Sequence, residues 1–198
     1  MIEARGLGWA HPDTPDRPVL AGLTFTIGPG LTLVRGGEGR GKTTLLRLLA
    51  GDLAPGAGAL VRRPGRALRP SPADPACDPQ RARDWLLDQD LPALQADPAA
   101  ADPLLAALGL VEHIDKPMFM LSTGSRRKVG LLAAALAGAP LTLLDQPFAA
   151  LDARSCRVVA ELLADAAASS TRAWVIADHG RSHWLDDIAL AGVIDLGD

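Results

Sequence analysis

The sequence Gly36-Gly37-Glu38-Gly39-Arg40-Gly41-Lys42-Thr43 fits the phosphate-binding pattern G-x-x-x-x-G-K-[ST] at every fixed position. The alternating apolar segment 31–34 that precedes it is typical of a strand, and the segment 44–50 that follows it is typical of a helix. Glycines let backbone N–H groups turn toward an anion, and a helix N-terminus carries partial positive charge. A Gly-rich turn before an ordinary helix is the alternative, but both flanks favour a nucleoside triphosphate site.

The residues of this loop have distinct expected roles. Lys42 is expected to reach the β- and γ-phosphates, and the hydroxyl of Thr43 is expected to ligate Mg²⁺. The neighbouring loop residues present their backbone to the phosphates. The predicted nucleotide-binding residues in this stretch are Gly36, Gly37, Glu38, Gly39, Arg40, Gly41, Lys42, Thr43 and Thr44.

Composition restricts the kind of protein. The chain has 198 residues, of which 48% are hydrophobic, and this favours one globular unit, with room for an inserted subdomain. A net charge of −3 argues against a nucleic-acid partner. The N-terminus lacks a signal-peptide core, and the most apolar stretch, 130–144, is shorter than the roughly 20 residues that a membrane span needs. We expect a cytoplasmic protein that can dock on a membrane protein.

The rest of the chain alternates between predicted strands and helices. Strands are predicted at 1–8, 23–27, 31–35, 59–63, 66–69, 141–144, 173–177 and 193–196, and helices at 44–50, 81–90, 99–108, 122–137 and 153–168. This order predicts an α/β fold: a P-loop NTPase core with a mainly parallel sheet, an N-terminal antiparallel β-region and an inserted small helical subdomain. We expect a single domain over 1–198, with the core in 1–71 and 122–198 and the helical subdomain at about 72–121.

A second metal-binding residue is predicted downstream of the loop. The apolar strand 141–144 ends in Asp145. An acid delivered by a strand tip, after a phosphate loop, commonly holds Mg²⁺ through water. Any buried strand can end in Asp, so the prediction depends on the pairing with the 36–43 loop. Thr43 and Asp145 are the predicted metal ligands.

Further segments resemble one family. Leu121-Ser122-Thr123-Gly124-Ser125-Arg126-Arg127-Lys128-Val129 resembles the signature sequence of ABC-type ATPases, which commonly reads L-S-G-G-Q before a basic stretch. Leu144-Asp145-Gln146-Pro147 and Ala149-Ala150-Leu151-Asp152 resemble that family's magnesium-site Asp, catalytic position and D-loop. These segments occur in family order. The layout is similar to that of compact bacterial haem-exporter ATP-binding subunits.

The resemblance implies roles for residues outside the loop. Ser122 and Gly124 would contact the nucleotide of a second copy, which implies a head-to-tail ATP-dependent dimer; an N-capped helix start is the alternative. Asp152 would belong to the same composite site. His179 resembles the switch histidine that senses the γ-phosphate, rather than an ordinary surface His. Trp9 resembles the aromatic that stacks on adenine, although core packing is also compatible with its position.

Three positions depart from the family pattern. Gln146 stands where the family has the Glu that polarises the attacking water, and an amide cannot accept a proton, so we expect normal Mg-ATP binding and slow hydrolysis. Gln146 fits a natural variant, a substitution that traps the ATP-bound state, or a residue that still orients water. The glutamine loop is expected near Pro70-Ser71, where no Gln occurs, and Gln80 is a candidate replacement. Ser125 stands where the signature often has Gln.

The leading hypothesis is the ATP-binding subunit of an ABC transporter. It would lie on the cytoplasmic face of the inner membrane, against separate membrane-spanning permease subunits. The alternative is a regulator that binds ATP, dimerises around a partner and hydrolyses little, which Gln146 favours. DNA-repair and translation proteins of the family usually carry a long coiled coil or two nucleotide domains, and a P-loop kinase would leave the signature segment unexplained.

Overall fold

The computed structural model describes residues 2–62, 65–92 and 97–197. The strands in these ranges are β1 Ile2–Ala10, β2 Pro18–Ile27, β3 Gly30–Arg35, β4 Ala57–Arg62, β5 Ala67–Leu68, β6 Leu141–Asp145, β7 Ala173–Asp178 and β8 Gly192–Asp195. The α-helices in these ranges are α1 Lys42–Ala50, α2 Ala82–Leu87, α3 Asp102–Ala107, α4 Thr123–Leu136 and α5 Ala153–Ala167. Met1 and Arg63, which two predicted strands included, lie outside the described residues.

The chain divides into two compact units. The first unit contains Met1–Arg69, Pro140–Gln146 and Leu163–Asp198, and the second contains Pro70–Ala139 and Pro147–Leu162. The domain boundaries inferred from the sequence, with a helical subdomain at about 72–121, stay a prediction.

A five-stranded parallel sheet in the order β5-β6-β7-β3-β8 forms the centre of the first unit. The first five residues of β3 are buried, as expected for a strand that is covered on both faces. Arg35 of β3 pairs with Asp178 of β7, and Asp145 of β6 pairs with Ala177 of β7. The carboxyl ends of these three strands therefore meet at one edge of the sheet.

The N-terminal strands form a second, antiparallel sheet in the order β2-β1-β4. The helix α1 contributes four buried leucines, Leu45, Leu46, Leu48 and Leu49, to a core shared with side chains of both sheets. β2 begins at Pro18, five residues before the predicted start. A proline is compatible with the first residue of a strand because no ladder donor is needed there. The predicted α/β fold, with its parallel sheet and antiparallel β-region, is confirmed.

Helices dominate the second unit. The helix α2 packs against α4, and the side chains of Trp85 and Leu86 on α2 are buried. The predicted helix at 99–108 is divided into a 3-10 turn, Pro98–Ala101, and the α-helix α3. Pro103 lies in the first turn of α3, where a missing N–H leaves no intrahelical hydrogen bond unmade. Within the described ranges, no helix combines the length and apolar character that crossing a bilayer requires.

Candidate nucleotide-binding site

The phosphate loop joins β3 to α1 at the carboxyl edge of the parallel sheet. Gly39 has φ 72° and Gly41 has φ 87°, both in the left-handed region that favours glycine. A Cβ atom on Gly41 would lie 2.7 Å from Leu20 Cδ2 and 2.8 Å from Val19 Cγ1. Only glycine fits this position, because backbone conformation and available space both exclude a side chain. The loop backbone is thereby held close to β2.

Lys42 is the buried cation of the site. The residue is 6% exposed, and its Nζ donates hydrogen bonds to the carbonyl oxygens of Gly36 at 2.6 Å and Gly37 at 2.7 Å. Neither partner carries charge, and no carboxylate among the described residues pairs with this ammonium group. A buried charge without a counterion is costly unless a ligand supplies one. This arrangement favours an anion next to the loop.

Thr43 and Asp145 lie together, as the metal-ligand prediction requires. The Thr43 hydroxyl donates a hydrogen bond of 2.5 Å to Asp145 Oδ2. Asp145 Oδ1 is buried and has no hydrogen-bond partner in the described part of the chain. Mg²⁺ binds one or two protein oxygens and keeps waters and substrate phosphates as its other ligands. The hydroxyl and the unpaired carboxylate oxygen fit this donor set.

Gln146 and His179 face each other at the same sheet edge. The Gln146 N–H donates to the Ala177 carbonyl oxygen at 2.8 Å, which extends the pairing of β6 with β7. Gln146 has φ 48°, and its Nε2 lies 3.4 Å from His179 Nε2. The register of three parallel strands brings this pair to the phosphate loop, although the two residues are 33 positions apart in sequence. Gln146 still offers an oxygen and an NH₂ group to water, but it cannot accept a proton.

Most of the predicted site residues line a cavity of about 400 Å³. Residues 38–44 of the loop line it, together with Gln146, His179 and Val19. The position of Val19 was missed by the sequence analysis, because an isolated Val at the start of a strand carries no motif. It lies at the cavity because Gly41 of the loop packs directly against this part of β2.

Trp9 is placed differently from the loop residues. Its side chain is partly buried against the core of the first unit and makes an edge-on ring contact with His11, with centroids 6.0 Å apart. Trp9 is absent from the residues that line the 400 Å³ cavity. Packing against the core explains its position, and the adenine-stacking role stays a prediction.

The signature-like segment lies in the second unit, at the start of α4. Ser122 is the N-cap of α4, and its Oγ accepts a hydrogen bond from the Ser125 N–H at 3.1 Å. A Cβ atom on Gly124 would collide with the Ala150 carbonyl oxygen. The Arg127 guanidinium donates to the Ala149 carbonyl oxygen. These contacts join the N-terminal half of α4 to the D-loop-like segment 149–152.

Asp152 ends that segment and directly precedes α5. Its Oδ1 accepts a hydrogen bond from the Ser155 N–H at 2.8 Å, and its Oδ2 lies 2.8 Å from Lys128 Nζ. The hydrogen bond from Lys128, followed by that from the Ser155 backbone, holds the pKa of the Asp152 carboxyl well below its usual range. The site residues Ser122, Gly124 and Asp152 therefore occupy one connected part of the second unit.

The region of the expected glutamine loop is occupied by prolines. A Cβ atom on Gly130 of α4 would lie 3.0 Å from Pro72 Cγ and 3.4 Å from Pro70 Cβ, so this segment packs directly on the helix. The Gln80 amide donates a hydrogen bond to Asp88 within the second unit. Gln80 thus has a local structural partner, and its role as the loop glutamine stays a prediction.

The glycine loop, the buried lysine and the Thr43–Asp145 pair on a parallel sheet define a P-loop nucleotide-binding protein. A family model described as ABC transporter matches residues 20–149. The chain belongs to the ABC transporter family. Membership implies ATP binding, ATP hydrolysis and a part in transport.

Similar proteins cover most of the chain. The Cytochrome c biogenesis ATP-binding export protein CcmA of Sphingopyxis alaskensis is 38% identical over 151 residues, which cover 74% of this chain and 76% of that protein. The protein of the same name from Alkalilimnicola ehrlichii is 38% identical over 178 residues, covering 82% and 74%. A solved structure of a putative ABC transporter ATP-binding protein from Pyrococcus furiosus matches with a TM-score of 0.73 and 22% identity, covering 98% of this chain and 96% of that one. That identity is low, so the structural likeness supports the fold alone.

Proposed function

We propose that the chain is the ATP-binding subunit of an exporter that serves cytochrome c biogenesis. The observation that carries the proposal is the cavity that brings the phosphate loop together with Gln146 and His179. The names of the relatives, which describe ATP-binding export proteins, supply the biological setting. Separate membrane-spanning permease subunits would carry the transport path, and this chain would lie against them on the cytoplasmic face of the inner membrane.

Nucleotide binding in this proposal depends on four side chains and the loop backbone. Lys42 stabilises the β- and γ-phosphates, and the loop N–H groups bind their oxygens. Thr43 and Asp145 hold Mg²⁺, which neutralises phosphate charge when it is bound. His179 contacts the γ-phosphate end of the site.

A second copy of the chain completes the site. Ser122 and Gly124 open a helix whose N-terminus is suited to an anion, and the resemblance to the family assigns that anion to the nucleotide of the partner copy. Asp152 lies beside them through its bond to Lys128. The resulting head-to-tail dimer would hold two nucleotides between the copies.

Gln146 makes slow hydrolysis the expected behaviour. General-base assistance typically supplies about 10²–10⁴ in rate, and an amide does not provide it. The same residue supports the second candidate function, a regulatory clamp that dimerises on ATP with little turnover and is not coupled to transport. Gln146 contacts His179 in either case.

Steady-state Mg-ATP hydrolysis by the chain and by Gln146→Glu tests the proposal. We expect Glu to raise turnover by about 100-fold, and the Gln146 protein to accumulate as an ATP-bound dimer in size-exclusion chromatography. Equal, very low turnover by both proteins, with a stable ATP dimer, would favour the clamp.

A further inference from the structure

Gln146 cannot accept a proton, and the aspartates near it at the sheet edge already accept hydrogen bonds from the protein. At the carboxyl edge of the parallel sheet, Asp145 accepts a hydrogen bond from Thr43. Asp178 Oδ1 accepts the His179 N–H at 2.7 Å. Asp195 Oδ2 pairs with Arg35 at 2.6 Å, and its Oδ1 accepts the Gly197 N–H at 2.9 Å. Each of these acids is engaged in holding the site or the sheet edge.

Glu38 is different. It lies inside the phosphate loop and lines the same cavity as Gln146 and His179. Its side chain is exposed and makes no hydrogen bond or ion pair with any residue that the structure describes. A free carboxylate within a loop that binds a triphosphate requires an explanation, because it repels the phosphates.

The position of Glu38 along the loop indicates which end of the triphosphate it faces. Lys42 Nζ, the group expected at the β- and γ-phosphates, is held by the carbonyl oxygens of Gly36 and Gly37. Glu38 follows Gly37 directly. Gln146, at the position of the water-polarising residue, lines the same cavity. Glu38 therefore shares a cavity with Gln146 and follows the part of the loop that holds Lys42 Nζ.

We propose that Glu38 is the proton acceptor that Gln146 cannot be. The proposal rests on the proposed ATP site. The attacking water oxygen forms a bond to the γ-phosphorus while the bond from that phosphorus to the β,γ-bridging oxygen breaks. One water proton passes to the Glu38 carboxylate, ADP leaves with the bridging oxygen, and the proton is released with the inorganic phosphate to solvent. Gln146 orients the water through its amide oxygen, and His179 contacts the amide.

A carboxylate at position 38 also changes the affinity for ATP, which can be measured separately from the rate. A carboxylate near the γ-phosphate weakens ATP binding, whereas the positive charges of Lys42 and Arg40 oppose that effect. Removing the charge at residue 38 should therefore tighten Mg-ATP binding while it lowers turnover. A residue with only a structural role would lower both affinity and rate, or neither.

The test compares Glu38→Gln, Glu38→Asp and the double variant Glu38→Gln with Gln146→Glu in the full chain. Turnover is measured by phosphate release, and the Kd of Mg-ATP by titration with a fluorescent ATP analogue. We expect Glu38→Gln to lower the already slow kcat by about 100-fold, with an equal or smaller Kd. Glu38 then supplies the lower part of the roughly 10²–10⁴ range of general-base assistance, and a Glu at position 146 adds the remaining about 100-fold. Glu38→Asp should keep turnover within about tenfold of the parent, and Gln146→Glu should restore turnover in the double variant. Glu161→Gln, the same change on the exposed face of α5, is the control and should change neither quantity.

Three results would overturn the role of Glu38: unchanged kcat in Glu38→Gln, loss of both binding and turnover in that variant, or no measurable turnover by the parent chain. Each of them leaves the assignment of the ATP site intact if Lys42→Ala still weakens binding of the analogue by about 100-fold. Analogue binding that does not depend on Lys42 would instead refute the proposed function itself.

Discussion

At the scale of single residues, the most informative feature of the loop is its buried cation, Lys42. Two carbonyl oxygens of its own loop accept hydrogen bonds from Lys42 Nζ, at 2.6 and 2.7 Å, and these bonds restrict the rotamer of the side chain. A preorganised charge loses little side-chain entropy when it binds. We infer that much of the ATP affinity comes from this residue.

Replacing that residue provides the simplest test of the site. Lys42→Ala should raise the Kd of Mg-ATP by about 100-fold, because hydrogen bonds to charged groups contribute about 1.5–3 kcal/mol each. Calorimetric titration of the variant measures this change. Lys116→Ala, in the second unit, is the control and should leave the Kd unchanged. If Lys42→Ala binds ATP as the parent does, the site assignment is wrong.

At the scale of elements, α4 and α5 are joined through a charged capping residue. Asp152 accepts a hydrogen bond from Ser155 in the first turn of α5 and pairs with Lys128 on α4. The side chain of Asp152 is 59% exposed, so solvent screens the pair and its contribution to stability is modest, about 0.5–1 kcal/mol. The contact therefore contributes little to the stability of the fold, although it joins the segment 149–152 to α4.

The lowered pKa of Asp152 predicts a specific pH dependence. Because the folded-state pKa lies below the unfolded value of about 3.9, the charged carboxylate stabilises the fold fully at higher pH, and this stabilisation is lost as pH falls through the lowered pKa. Asp152→Asn should therefore lower the free energy of unfolding at about pH 7, and the difference from the parent should shrink toward about pH 2. Urea unfolding of both proteins over this range measures the effect. Asp165→Asn on the same helix is the control, and a difference that stays constant with pH would contradict the prediction.

At the scale of the whole molecule, the proposed site is incomplete in one copy. Ser122 is an N-cap, so a variant that probes dimerisation must keep the cap. Ser122→Asp keeps a capping side chain but places a negative charge where the nucleotide of the partner copy would lie. We expect this variant to bind Mg-ATP as a monomer and to fail to dimerise in analytical ultracentrifugation.

The neutral variant Ser122→Asn is the matched control, since it also caps the helix but carries no charge. It should still dimerise on ATP, although more weakly than the parent. If Ser122→Asp dimerises as well as Ser122→Asn does, the head-to-tail arrangement is wrong.

Sequence patterns predicted the core elements well where the physical signal is local. The loop 36–43 carries its own backbone requirements, and the buried strands β3 and β6 are short apolar runs. Ser122 begins α4, as its capping pattern indicates. Boundaries were less accurate where proline was involved, as at Pro18 and in the divided helix at 98–107. Near these prolines, the local sequence is compatible with more than one first residue for the strand or helix.

The sequence alone determined that a phosphate loop precedes a helix and that an Asp ends a buried strand, because each of these is a property of residue type and spacing. The role of position 146 came from the resemblance to the family and stays a prediction. Only the tertiary structure decided which side chains share the cavity. The parallel register of β6, β7 and β3 places Gln146, His179 and Glu38 at one edge, and the close packing of Gly41 against β2 adds Val19. Such proximity arises from pairing between strands that are distant in sequence, and no local pattern encodes it.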